Sequence, residues 1–218
     1  MKSLTSPIQI KTSKSGHLIP LVEQMSLHSE YDPIREARKL VEDFDKTIIK
    51  NPNFIVYGLG FAYHIIELID RMIKIHGANA SITVIEPNES LVKAYQESCF
   101  PVPQIVTIFC TDNVEDLFRQ EDFIQILGQK PPVLRHPQSY MLNKAFFDSV
   151  DNYRPAQDLK STRTHLKDFS VRKELGHYSQ QSTLQQIYKD TTVQDRWIDH
   201  LIAAFGEVAY NREQGDVQ

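Results

Sequence analysis

The feature that most constrains the fold is an apolar segment that leads into a glycine turn and an amphipathic helix, over residues Phe54–Ile69. The β-branched and aromatic residues of Phe54–Tyr57 predict a buried strand. Gly58 and Gly60 predict a tight turn, and apolar residues then recur at helical spacing. This order is typical of the entry to a Rossmann-type half, in which the turn and the helix N-terminus face a ligand phosphate.

Acidic residues at two later strand ends extend this pattern. Glu86 follows the predicted strand Ser81–Ile85, at the position where an acid usually holds a ribose hydroxyl. Asp112 follows a third predicted strand, Gln104–Cys110. The carboxyl ends of parallel strands line one crevice, so these acids are expected to face the same ligand. In the glycine motif, Ala62 supplies the small residue that the third glycine position requires. The predicted cofactor-binding residues are Gly58, Gly60, Ala62, Tyr63, Glu86 and Asp112.

A second set of side chains is expected to contact a substrate or a phosphate. His64 lies beside Tyr63 in the first helical turn after the glycines, and Arg135 and His136 lie in Pro132–Pro137, which predicts a short fourth strand and a loop. Loops at this edge of an open α/β sheet carry ligand contacts. Structural alternatives stay open for these residues. His64 is then an ordinary polar helix residue, and the glycines only form a turn between a strand and a helix. Glu86 then only stabilises the N-terminus of the helix that follows it.

Composition and spacing exclude several other classes. Hydrophobic residues make up 41% of the 218 residues and charged residues 24%, which are globular values. The net charge of −4 gives no basic footprint for nucleic acid. Cys99 and Cys110 form no C-x-x-C pair, and no spaced ligand cluster or nucleophile motif is visible, so no metal site and no catalytic residue is predicted. The absence of an apolar leader and of about 18 successive apolar residues predicts a cytoplasmic protein without a membrane partner.

The chain is expected to have three regions. Residues 1–50 predict a β-hairpin, with Pro20 favouring an edge strand, and one helix that starts at Asp32 and runs to Asn51, both packed on the main domain. Residues 51–150 form the Rossmann-like domain. Residues 151–218 are a helical extension and a polar tail, in which a stripe around Trp197 is expected to pack on the sheet domain or on a second subunit. The fold class is therefore α/β, with a Rossmann-like open, mostly parallel sheet and flanking helices, an N-terminal β-hairpin and a C-terminal helical extension.

Three segments together resemble one protein family. They are LHSEYDPIREA (27–37), IVYGLGFAYHIIELI (55–69) and ITVIEPN (82–88). They resemble the N-terminal half of the motility accessory factor family, which is linked to flagellin glycosylation and is similar to 6-hydroxymethylpterin pyrophosphokinase-like proteins. In that family a second domain with a Gly-Pro-Ser-Leu turn carries the transferase chemistry. That motif does not occur in this sequence, so the resemblance implies relatedness to the accessory half alone.

Three hypotheses for function follow from these patterns. The first is a Rossmann-like protein of flagellar or surface glycosylation that binds a nucleotide or nucleotide-sugar. The second is an S-adenosylmethionine-dependent methyltransferase, although Val56 stands where such enzymes usually carry an acid before the first glycine. The third is a non-catalytic module that docks on a separate transferase or on flagellin. Whether the protein is an enzyme is left open by the sequence.

Overall fold

Seven strands form two sheets in the computed structural model, which describes residues 8–99, 101 and 103–154. The strands are β1 (Gln9–Thr12), β2 (Leu18–Val22), β3 (Met25–Ser26), β4 (Asn53–Tyr57), β5 (Ser81–Glu86), β6 (Val106–Cys110) and β7 (Val133–Arg135). The helices are α1 (Pro33–Glu42), α2 (Asp45–Lys50), α3 (Tyr63–His76), α4 (Glu89–Ser98), α5 (Val114–Phe118), α6 (Glu121–Gly128), α7 (Pro137–Leu142) and α8 (Lys144–Asp151), with a 3-10 turn at Gly77–Asn79. The chain divides into two compact units, 1–153 and 154–218, and all these elements belong to the first.

The larger sheet is parallel and has the strand order β6-β5-β4-β7. The chain builds outward from β4 through β5 to β6 and then returns to place β7 on the other side of β4. The strand order therefore reverses between β4 and β7. With helices on both faces and the N-terminal hairpin present, the expected α/β, Rossmann-like fold is confirmed for the described residues.

Alternation along the strands divides the apolar core between the two faces of this sheet. Phe54 and Val56 of β4 pack toward α3 and α4, whereas Ile55 and Tyr57 pack toward α5, α6 and α8. Successive strand residues point to opposite faces, so a continuous apolar run is the pattern of a strand covered on both sides. The same alternation decides on which face the residues just after each strand lie.

The small antiparallel sheet departs from expectation at Pro20. Its order is β1-β2-β3, so Pro20 lies in the central strand and not at an edge. The Pro20 carbonyl accepts a hydrogen bond from Leu27 N at 3.0 Å, on the side of β3. In an antiparallel pair, the amide and carbonyl of one residue face the same neighbour. The donor that proline lacks therefore faces the two-residue strand β3, where little pairing is lost.

The helix after the hairpin begins where the sequence predicts. Asp32 is the N-cap of α1 and accepts from Arg35 N at 3.0 Å, with Pro33 at the first helical position. The prediction of one helix to Asn51 is wrong, because the structure has a break between α1 and α2. The break places Asp45 at the start of α2, where it forms an ion pair with Arg71 on α3.

The helix around Trp197 and the polar tail lie outside the described residues. Within the described residues, no helix combines the length and the apolar character needed to cross a membrane.

Candidate functional site

The glycine turn lies at the point where the strand order reverses. It follows β4 directly, and His136 N, at the end of β7, donates to Tyr57 O at 3.0 Å, which continues the β4–β7 pairing past β7. Open α/β sheets bind ligands outside the carboxyl ends of their strands at this kind of position. The site suggested by topology is therefore formed by the turn, by the start of α3 and by the segment after β7.

The amides of the turn donate to acceptors inside the protein. Leu59 N donates to Glu86 Oε2 and Phe61 N donates to His28 Nε2, both at 2.8 Å, while Gly58 N donates to the carbonyl of Ile85 at 2.9 Å. A phosphate bound through these three amides would have to replace the three internal acceptors. The prediction of phosphate binding here stays a prediction, and it now carries that cost.

Both glycines adopt conformations that glycine favours, with φ of +94° at Gly58 and +50° at Gly60. The space that a side chain would fill is already taken. A Cβ at Gly58 would lie 2.2 Å from Ser139 Cβ, and one at Gly60 would lie 2.4 Å from His28 Nε2. The glycines thus permit close approach of Ser139 and of a histidine ring, which are the protein's own groups.

Glu86 is fully buried beneath the turn, with 0% of its surface exposed. Its two carboxylate oxygens accept from Leu59 N at 2.8 Å and from Asn88 N at 3.0 Å. Burial raises the pKa of Glu86 to about 7, and the two amide donors oppose that rise. In this arrangement the carboxyl group joins the turn after β4 to the start of α4. A ribose contact for Glu86 stays a prediction.

The other predicted cofactor residues are placed differently from one another. Ala62 is buried with φ of +61°, so this position needs a left-handed backbone as well as the small side chain that the sequence indicates. Tyr63 Oη donates to the carbonyl of Leu18 at 2.7 Å and so joins α3 to the hairpin sheet. Asp112 is exposed after β6, about 10 Å from β4 if two strand spacings are counted.

Arg135 and His136 point to opposite faces of the sheet. Arg135 pairs with Asp151 at 2.9 Å and lies over the ring of Tyr57 on the face covered by α8. His136, one residue later, is 1% exposed and lies on the face covered by α3. The two residues therefore do not form one phosphate-contacting pair.

The structure instead brings three histidines together at the place where the strand order reverses, between β4 and β7. His28 comes from the loop after β3, His64 from the first turn of α3, and His136 from the end of β7; all three are buried. One ring nitrogen from each lies within 4.8 Å of the other two. The rings of His64 and His136 are stacked, with centroids 4.2 Å apart and an interplanar angle of 3°.

Each histidine has one ring nitrogen facing a polar group on the outside of the cluster. Nε2 of His64 lies 3.0 Å from Gly58 O, and because a carbonyl can only accept, this nitrogen carries the proton. Nδ1 of His136 lies 2.8 Å from the Ser139 hydroxyl oxygen. Nδ1 of His28 lies 3.8 Å from Glu36 Oε2. A backbone carbonyl and a carboxylate are outer partners that orient metal-bound histidines in other proteins.

The other ring nitrogen of each histidine is the one that could bind a cation. His64 Nδ1 and His136 Nε2 are buried and have no hydrogen-bond partner in the described part of the chain. For His136, the tautomer that donates from Nδ1 to Ser139 leaves a lone pair on Nε2. His28 Nε2 accepts from Phe61 N, so its lone pair is in use. Two of the three histidines thus offer free lone pairs to a cation, and the third offers one if it leaves Phe61.

The three rings are neutral near pH 7. Burial lowers the pKa of His64 to about 3, with a smaller contribution from His28. Burial also lowers the pKa of His136 and that of His28, although Glu36 opposes the change at His28. The neutral imidazole is the form that binds a metal ion.

A cavity of about 40 Å³ adjoins the cluster. Besides the three histidines it is lined by Glu36, Ala37, Leu40, Pro137 and Gln138. This volume exceeds the ~15 Å³ that a water molecule requires. The cluster therefore adjoins a space for one small molecule.

Sequence patterns predicted His64 and His136 as substrate contacts but predicted no metal site. His28 is not selected from the sequence, because Ser29 and Asp32, close by, explain the segment as a helix start. The three histidines are far apart in sequence and have no ligand spacing. The signal that could have found them is topological: His64 and His136 follow two strands that become neighbours only when β7 pairs with β4.

Comparisons with known proteins add little to this geometry. No family profile matches the chain, and no curated protein sequence matches it. Among solved structures, the crystal structure of MnmC2 from Aquifex aeolicus is similar with a TM-score of 0.38 and 8% sequence identity, over 73% of this chain. The match spans 63% of the length of that protein.

Proposed function

We propose that the described domain binds a transition-metal ion of the zinc class through His28, His64 and His136. The observation that carries the proposal is the convergence of three buried, neutral histidines, two of which have unpartnered inner nitrogens. Imidazole nitrogens suit zinc, copper, iron and nickel ions. The position at the reversal of strand order, where open α/β proteins bind ligands, agrees with a functional site.

Energetics favour an occupied site over an unfilled one. A buried polar atom without a partner costs about 1–3 kcal/mol, and His64 Nδ1 and His136 Nε2 are two such atoms. An ion bound to both would remove that cost. Recruiting His28 would leave the buried amide of Phe61 without its acceptor, at a cost of about 1–3 kcal/mol. Outward pairing of His28 with Glu36 would persist, which is the carboxylate–histidine arrangement common at zinc sites.

Binding would require a contraction of the cluster. Zinc–nitrogen bonds of about 2.0–2.1 Å in a tetrahedral site bring ligand nitrogens to roughly 3.3 Å from one another. The present separations reach 4.8 Å. The parallel rings of His64 and His136 also direct their lone pairs along parallel planes, so at least one ring must turn out of the stack. The competing account is a buried water molecule that donates hydrogen bonds to the same nitrogens.

Zinc titration of the chelator-treated full chain separates these accounts. We expect one zinc ion per chain by titration calorimetry, and a loss of affinity of at least 100-fold in His64→Ala and in His136→Ala. Ser139→Ala keeps the packing at Gly58 but removes an outer partner of His136, so it should weaken binding by about 10–100-fold. His17→Ala, which changes a histidine outside the cluster, is the control. Zinc affinity equal in wild type, His64→Ala and His136→Ala would contradict the proposal, provided that near-ultraviolet circular dichroism shows folded variants.

Nucleotide binding stays a prediction that rests on the glycine turn and Glu86, and a role in flagellin glycosylation stays a prediction that rests on the three sequence segments. The same calorimeter can test nucleotides, nucleotide-sugars and S-adenosylmethionine, with Glu86→Gln as the variant for a ribose contact. Zinc binding without binding of any of these ligands would leave the metal as the ligand of this domain.

A further inference from the structure

We propose that the metal site is of the open kind, in which a water molecule that can be exchanged for a small anion completes the coordination. This inference rests on the proposed function. Structural zinc sites are closed by four protein ligands, whereas catalytic sites keep one position for water or substrate. Within residues 8–99, 101 and 103–154, one group of three or more histidine, cysteine or acidic side chains could hold a metal ion. That group consists of His28, His64 and His136. The adjoining cavity of about 40 Å³ has room for the additional ligand.

The chemistry of the cavity indicates a ligand that donates hydrogen bonds. Gln138 Nε2 donates to Glu36 Oε1 at 3.3 Å, which fixes the orientation of the Gln138 amide because a carboxylate only accepts. Gln138 Oε1 is then left as a buried acceptor, and no described residue donates to it. A water molecule bound to the ion has two O–H donors and would supply the missing hydrogen bond. An anion such as azide would fill the position but would have no proton for Gln138.

Glu36 has a separate role in this arrangement. It accepts from Ser29 N at 2.8 Å and faces His28 Nδ1, so it holds the loop that carries His28 as well as the Gln138 amide. One carboxylate thus positions a metal ligand and the acceptor for the ion-bound water. The substrate class that this arrangement fits is a small molecule that binds the ion through one atom and displaces water.

Cobalt(II) loaded into the full chain provides the test, because its visible absorption changes when a coordinated water is replaced. We expect azide to shift the spectrum of the cobalt protein. In Gln138→Leu the water loses its acceptor while azide loses nothing, so azide should bind about fivefold tighter than in wild type, the factor that one ordinary hydrogen bond supplies. Gln138→Met removes the same acceptor with a more flexible side chain and should behave alike. Gln129→Leu, which removes a glutamine paired with Asn53 outside the cavity, should leave azide affinity unchanged.

Each outcome bears on one of the two proposals. Failure of cobalt and zinc to bind would overturn the metal site itself. A cobalt spectrum that does not respond to azide would show a closed coordination sphere and would overturn the open position alone. Azide affinity that is unchanged or weaker in both Gln138→Leu and Gln138→Met would overturn the role of Gln138 as acceptor for the water.

Discussion

Gly58→Ala is expected to destabilise the protein by about 2–5 kcal/mol. The left-handed backbone at φ +94° accounts for about 1–2 kcal/mol and the forced contact for about 1–3 kcal/mol. The new methyl carbon would lie 2.2 Å from Ser139 Cβ. That atom is attached directly to the backbone of α7, so it cannot move away without moving the helix that follows His136.

Gly16→Ala is the matched control for this substitution. Gly16 has a similar φ of +85°, but a Cβ there would have no heavy atom within 4 Å. It should therefore lose only the backbone contribution of about 1–2 kcal/mol. Urea unfolding of both variants at one pH gives the comparison. Equal losses in the two variants would mean that Ser139 does not pack against the glycine turn as described.

Glu86→Gln is expected to abolish a pH dependence of stability worth about 3 kcal/mol. The pKa of Glu86 is raised from 4.5 to about 7 in the folded protein. Between these values the folded carboxyl holds a proton that the unfolded chain has released. The free energy of unfolding therefore falls as pH rises from about 4.5 to 7, by roughly 1.4 kcal/mol per unit. Glutamine does not titrate, so the variant lacks this pH-dependent contribution to the free energy of unfolding.

The experiment compares urea unfolding of wild type and Glu86→Gln at several pH values from 5 to 8. Subtracting the two curves cancels the titration of shared groups, including the three histidines. The stability of Glu86→Gln relative to wild type should rise from pH 5 to about pH 7 and then level off. Glu115→Gln, at an exposed position on α5, controls for the loss of one negative charge. A difference that is flat with pH would show that Glu86 ionises as an ordinary exposed carboxyl group does.

The main elements of the fold could be predicted because each is encoded locally. The strand–turn–helix unit around Gly58 follows from a buried apolar run and two glycines, and the start of α1 follows from Asp32 and Pro33. The break between α1 and α2 could not be predicted, because apolar residues recur at helical spacing from Ile34 to Ile48. The tertiary contacts of α2, such as the Arg71–Asp45 ion pair, depend on packing against α3.

The candidate site was only partly predictable, for a related reason. The sequence pointed to the edge of the sheet where the three histidines lie and selected His64 and His136, but it interpreted the turn as a phosphate-binding loop. In the structure, the amides of the turn are used by Glu86, by Ile85 and by His28. The ring of His28, from the loop after β3, fills the space beside Gly60. No local sequence pattern predicts where the hairpin and this loop pack.

Zinc K-edge X-ray absorption of the zinc-loaded full chain tests the central claim most directly. The account predicts three imidazole nitrogens at about 2.0–2.1 Å and one further light-atom ligand. The imidazole scattering should fall in His64→Ala, while His17→Ala should leave it unchanged. A zinc ion with fewer than three imidazole ligands in the wild-type chain, or with a spectrum that His64→Ala does not alter, would contradict binding by His28, His64 and His136.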